Sequence, residues 1–115
     1  MATRSRIAVE LDNGTVKSVY CHWDGYPTGV GRDLLNRGFN SIDEVLGFIN
    51  EGSRSTVETS YHAWRGEDIV TDINLTIDSY FNREDSEYLY LYTREEQWLV
   101  EPYKGRVADL KEVLS

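Results

Sequence analysis

A single cysteine cannot form an internal disulfide, so packing alone must hold this chain together. That usage suits a reducing compartment. With one Cys and only two His, a structural zinc site lacks its usual ligands. No apolar run is long enough to span a bilayer, and the N-terminus lacks the apolar core of a signal peptide. Those absences predict a cytoplasmic protein. Bases are scarce: 12 Lys and Arg stand against 20 Asp and Glu, a net charge of −8. Such a chain repels nucleic acid and membrane surfaces at long range, so neither is expected as a direct partner. Only two prolines occur, with no repeat, low-complexity stretch or linker, which predicts one domain over residues 1–115.

What is present suits a folded core: 40% of residues are hydrophobic, with eight tyrosines and three tryptophans. The charge is uneven. Residues 1–40 carry four acids and five bases, so +1, which leaves −9 for residues 41–115. An anion site within the first forty residues is compatible with that asymmetry.

The spacing predicts a β-hairpin over "RIAVELDNGTVKSVYCHW". Ile7, Val9 and Leu11 alternate, Asn13-Gly14 offers a two-residue type I′ turn, and Val16, Ser18 and Tyr20 alternate on the return. That turn would set Glu10 opposite Lys17, Arg6 opposite Cys21, Ser5 opposite His22 and Arg4 opposite Trp23. Ile7, Val9, Leu11, Val16 and Tyr20 would then form the core face. "DGYPTG" reads as a loop and "VGRDLLNRGF" as a short helix ending at Gly38. "SIDEVLGFINEG" carries the clearest helix signal, with Ser41 and Glu44 as a capping box and Gly52 as the stop. "TVETSYHAW" leans to a strand and "TIDSYFN" to a short helix. "EYLYLYTREEQWLVEPY" reads as a second hairpin, with Leu89, Leu91, Trp98 and Val100 on one face and Tyr88, Tyr90, Tyr92 and Leu99 on the other. "VADLKEVLS" reads as a closing amphipathic helix. The expected fold class is α+β: an antiparallel sheet built from an N-terminal and a C-terminal hairpin, with helices packed on it.

The chemistry concentrates in "CHWDGYPTGVGRD", residues 21–33. His22 and Asp24, at His-x-Asp spacing on a strand, would share a face, where a carboxylate can orient an imidazole for acid–base work. Trp23, Tyr26 and Pro27 beside Arg4 and Arg6 combine stacking surfaces with guanidinium forks, a set that suits a nucleotide-like anion. The bland alternative is a structural cation–π pair of Arg4 on Trp23. Gly29 and Gly31 could offer backbone N–H groups to an anion or could simply make the turn. A second block, "YHAWRGED", brings Tyr61, His62 and Arg65 with two acids. The tyrosines at 88, 90 and 92 read as sheet packing or an oligomer face, and Cys21 as a buried strand residue.

The motifs Thr3-Arg4-Ser5-Arg6-Ile7, Tyr20 to Pro27 with Gly29 and Gly31, and Tyr61-His62 with Arg65-Gly66-Glu67-Asp68 together resemble a family of small uncharacterised proteins of tailed bacteriophages and prophages. The resemblance covers most of the chain. It implies a viral origin and the host cytoplasm, and it carries no established biochemistry. The gene context of such proteins suggests host takeover or anti-defence.

The residues therefore predict a non-enzymatic binding protein, expected as a homo-oligomer, with no cofactor and no metal. Its ligand site would comprise Arg4, Arg6, His22, Trp23, Asp24, Tyr26, Gly29, Gly31, Tyr61, His62 and Arg65. The expected partner is a small anionic or nucleotide-like ligand, or a host protein. One alternative is a small hydrolase or phosphodiesterase using His22, Asp24 and His62. Another is an acidic nucleic-acid mimic, allowed by the acidic C-terminal two thirds.

Overall fold

Strand β1 (Ser5–Glu10) runs back as β2 (Val16–Cys21) through a turn that fixes everything around it. In this computed structural model the described residues are 3–52, 54–60, 71–82, 86–103 and 106–115. Leu11 N–H donates to Thr15 O at 2.8 Å, and Gly14 N–H donates to Leu11 O at 3.0 Å. The loop is therefore three residues long, a tight turn closed by Gly14 in the left-handed region at φ +82. Asn13 does not take a positive φ. Its side-chain Oδ1 instead accepts from the Thr15 hydroxyl at 2.6 Å.

One extra loop residue moves the register by one and exchanges the faces of β2. The predicted two-residue I′ turn is thus corrected. Ser5 lies opposite Cys21, Arg6 opposite Tyr20 and Val9 opposite Lys17. Val19 and Cys21 join Ile7 and Val9 in the main core. Val16, predicted beside them, lies with Ala8 in a second core on the opposite face.

The C-terminal hairpin repeats the pattern. Strands β6 (Tyr88–Tyr92) and β7 (Trp98–Tyr103) are joined by a three-residue loop. Thr93 N–H donates to Gln97 O, Glu96 N–H donates to Thr93 O, both at 2.9 Å, and Glu96 sits at φ +61. Here too the predicted faces are exchanged. Tyr90 pairs with Val100 and Tyr92 with Trp98, while Leu91 pairs with Leu99. Tyr90, Tyr92, Trp98 and Val100 point into the main core, and Leu89 and Leu91 into the second.

The α+β class holds, with the two antiparallel hairpins at the centre of the sheet. Their junction, β1 against β6, is parallel, so the sheet is mixed. The strand order is β4 (Thr59–Ser60), β3 (Arg54–Thr56), β2, β1, β6, β7, β8 (Arg106–Asp109), and β5 (Thr71–Leu75) also pairs with β2. The single strand predicted over "TVETSYHAW" is broken: Val57 and Glu58 turn the chain so that β4 pairs back antiparallel on β3, and residues 61–64 lie outside the described residues.

One sheet face carries α1 (Arg32–Arg37), α2 (Ile42–Ile49) and α4 (Leu110–Leu114), which bring Leu34, Val45, Phe48, Ile49 and Leu110 into the main core. The other carries α3 (Ile77–Phe81), whose buried Tyr80 completes the second core. The Tyr80 hydroxyl reaches the carbonyls of Arg6 and Tyr90, at 3.1 and 2.7 Å, across the β1–β6 junction. Local signals explain the helix ends. Ser41 Oγ accepts from Glu44 N–H at 3.2 Å, and Gly38 ends α1 at φ +72. The closing helix is shorter than "VADLKEVLS" predicts. Arg106–Asp109 pair with β7 as β8, and Asp109 caps α4 by accepting from Lys111 N–H at 2.8 Å. No helix among the described residues is long and apolar enough to cross a membrane.

Candidate functional site

The stretch after β2 is held closely, and its glycines explain how. His22 N–H donates to Arg54 O at 2.9 Å and Trp23 N–H to Ser55 O at 2.8 Å, so the chain leaves β2 still paired with its neighbour. Asp24 then turns into the left-handed region at φ +57. Gly25 passes so close to the start of β1 that a Cβ there would lie 2.7 Å from Thr3 O and 2.9 Å from Ser5 Cβ. Its N–H donates to Thr3 O at 2.9 Å, and its carbonyl accepts from the buried Tyr90 hydroxyl at 2.6 Å. Pro27 opens a π-helical turn, Pro27–Gly31, that runs directly into α1. A Cβ on Gly29 would lie 2.4 Å from Asp24 O, and one on Gly31 would lie 2.9 Å from Leu110 Cδ1. The glycines therefore serve close packing, and Gly29 spends its N–H on Tyr26 O at 2.8 Å.

What this clamped loop presents outward is aromatic. Trp23 is 45% exposed and Tyr26 39%. The Trp23 ring stands edge-on to His22, with centroids 4.5 Å apart. Tyr26 donates its hydroxyl to Asp24 Oδ1 at 3.1 Å, and that bond raises the phenol pKa above its ordinary value, with the nearby negative charge adding to it.

The predicted site residues separate. Arg6 is buried and donates from Nε to Ser18 Oγ at 3.0 Å, on the sheet face covered by α3. It lies across from Tyr20, not from Cys21. Tyr20 and His22 share that face, with the Tyr20 hydroxyl 2.5 Å from His22 Nδ1. The predicted pairing of His22 with Asp24 is not made. The strand ends at Cys21 and the positive φ at Asp24 breaks the alternation, so the carboxylate meets Tyr26 instead. Arg4 is exposed, and its backbone is tied to Glu87 and Tyr88. Tyr61, His62 and Arg65 lie outside the described residues. Cys21 is buried, as its strand position predicts, and burial pushes its thiol up to about 11, with the Ser5 hydroxyl partly offsetting this. Among the described residues no group of three His, Cys, Asp or Glu side chains is placed to hold a metal ion.

A second concavity has no counterpart in the sequence reading. A cleft of about 350 Å³ lies between the end of α1, the turn of the β6–β7 hairpin and the start of α4. Phe39, Tyr92 and Trp98 line it together with Glu96, Gln97, Asp109 and Lys111. These residues come from three distant segments, and only the exchanged face of the C-terminal hairpin brings Tyr92 and Trp98 to the same side. No protein family, curated protein or solved structure matched the chain.

Proposed function

We propose that this chain is a non-enzymatic binding protein whose contact surface is centred on Trp23 and Tyr26 and whose partner is another protein. One observation carries the reading. Of the three large apolar side chains exposed among the described residues, two sit three residues apart on one tightly packed loop. Exposed aromatics on a rigid support are what binding hot spots are built from, because little ordering is required when the partner arrives. Arg4, also exposed, follows Thr3, whose carbonyl anchors Gly25, so a cation stands near the same surface.

A small anionic ligand is the less supported occupant. Arg6 faces the α3 side, Gly29 has already spent its N–H, and the main clefts among the described residues are lined by other residues. The hydrolase reading loses its first pair, since Asp24 meets Tyr26 rather than His22. The resemblance to small phage proteins supports a setting in the host cytoplasm, with host takeover or anti-defence as the role. There the protein would act by blocking a host protein.

The test is a complex with a partner isolated from host extract, its affinity measured by calorimetry. Trp23→Ala should weaken that complex about 30-fold, or about 2 kcal/mol, while its circular dichroism stays that of the parent. Full affinity in both Trp23→Ala and Tyr26→Ala would overturn the proposal. A nucleotide-like molecule released from the purified, denatured protein would replace it with the small-ligand reading.

A further inference from the structure

The cleft beside the C-terminal hairpin takes no residue from the Trp23 loop and stands independently of it. Its volume of about 350 Å³ falls at the lower end of small-molecule sites. The lining is aromatic at its base. Phe39 and Trp98 have centroids 6.0 Å apart with planes at 58°, and Tyr92 and Trp98 are 5.0 Å apart at 62°. Rings tilted in this way form walls rather than a flat stack.

The rim is mostly acidic. Glu96 and Asp109 are carboxylates, and Lys111 is the base beside them. Asp109 is fixed in place, because it accepts from Lys111 N–H and from the Gln97 side-chain amide. The Glu96 backbone is held by the hairpin turn, where its N–H donates to Thr93 O, and its side chain stands exposed at the cleft. Glu44 lies in the adjoining cleft, which shares Gly38 and Phe39 with this one. The negative field reaches the aromatic base: the Tyr92 phenol is pushed up by burial first, and then by Glu96 and Glu44. Arg37 is a second base in this neighbourhood, and its charge opposes a bound cation from the Phe39 side. Its guanidinium stands 5.7 Å from the centre of the Phe39 ring and 5.2 Å from that of Phe48.

We infer that the cleft binds a small organic cation, an ammonium group joined to an apolar body, with the ammonium against Glu96 and the body against Trp98 and Phe39. Aromatic walls attract a cation through the ring quadrupole, and the carboxylates supply the long-range field. An anion of the same size meets repulsion from Glu96 and Asp109. A neutral molecule gains the apolar contact alone. Lys111 opposes the cation from the rim, so removing its charge favours binding.

The probe is benzyltrimethylammonium, titrated into isotope-labelled full-length protein and followed by NMR. Phenylacetate and benzyl alcohol serve as the anionic and neutral controls. The cation should saturate below about 10 mM with shifts centred on Phe39, Glu96 and Trp98, and should bind at least about fivefold tighter than benzyl alcohol. Glu96→Gln, an exposed substitution that keeps the side-chain shape, should weaken the cation about threefold, and Lys111→Gln should tighten it. Equal binding of phenylacetate or benzyl alcohol would overturn the proposal, as would an absence of shifts at 10 mM, a concentration at which a millimolar site would show clearly. Weaker binding in Lys111→Gln would also overturn it, since the cleft would then be reading a zwitterion.

Discussion

The two hairpins at the centre of the sheet close with the same three-residue loop and differ in what stands at its left-handed position. In β1–β2 that residue is Gly14, at φ +82 with nothing within 4 Å of where a Cβ would be. In β6–β7 it is Glu96, at φ +61. A side chain in this region is disfavoured by about 1–2 kcal/mol, and glycine escapes that. Loop geometry is thus shared, while local preference is obeyed in one hairpin and overridden in the other. What overrides it is packing. Only the three-residue loop sets Tyr92 against Trp98 and Tyr90 against Val100, inside the main core. The overridden hairpin is also the one whose turn edges the aromatic cleft.

The largest effect should come from the bond that ties the second hairpin to the loop following the first. Tyr90, on β6, donates its hydroxyl to Gly25 O in the loop that follows β2. Tyr90→Phe leaves that buried carbonyl without its partner and should lower stability by about 1–3 kcal/mol in urea denaturation. Burial holds the Tyr90 phenol well above the ordinary tyrosine range. The folded state therefore keeps this proton more tightly than the unfolded chain. That contribution is complete below about pH 10 and is lost as pH rises beyond it. Tyr90→Phe should flatten the alkaline limb of the stability profile. An unchanged limb together with unchanged urea stability would mean that this bond does not hold the Gly25 loop against β6.

A smaller and opposite pair of effects separates the turns themselves. Gly14→Ala should cost about 1 kcal/mol, for conformation alone, because no neighbouring atom obstructs the new methyl group. Glu96→Gly should stabilise the chain by about 0.5–1 kcal/mol through relief of the same strain. Thermal melts of both variants give the comparison directly. Two losses of similar size would mean that Glu96 holds its turn through contacts that outweigh its backbone strain.

The cap of α2 was legible because it is local: Ser41 precedes the helix and accepts from the N–H three residues on. The four strands of the two hairpins were legible from alternation, whereas β5 carried no such signal and most of β8 fell within the stretch read as the closing helix. Register was not, because Asn13-Gly14 suits either loop length, and the choice lies in whether Val19 and Cys21 or Val16 and Tyr20 pack on Ile7 and Val9. In the second hairpin the sequence pointed away from the answer, since glutamate is a poor residue for a left-handed position. The same one-residue step decided the site. It carried Arg6 from the expected rim to Ser18, while the exposed aromatics of the Trp23 loop lie beyond the strand and do not depend on it. The cleft residues had no local signal, because Phe39, Trp98 and Lys111 meet only through the fold.

The smallest effect tests the register of the first hairpin most directly. A two-residue turn would set Glu10 opposite Lys17, an ion pair worth a few tenths of a kcal/mol in a strand pair. In the structure Lys17 lies opposite Val9, and its ammonium donates to Asn50 Oδ1 at 2.6 Å. Glu10 lies opposite Val16 and accepts from Arg94 N–H at 3.1 Å, in the turn of the other hairpin. The two charges therefore act through different partners. A double-mutant cycle of Glu10→Gln and Lys17→Met should return a coupling near zero, within about 0.2 kcal/mol, because the two side chains share no partner. Coupling of about 0.5 kcal/mol or more would restore the shorter turn, and with it the placement of Arg6 opposite Cys21.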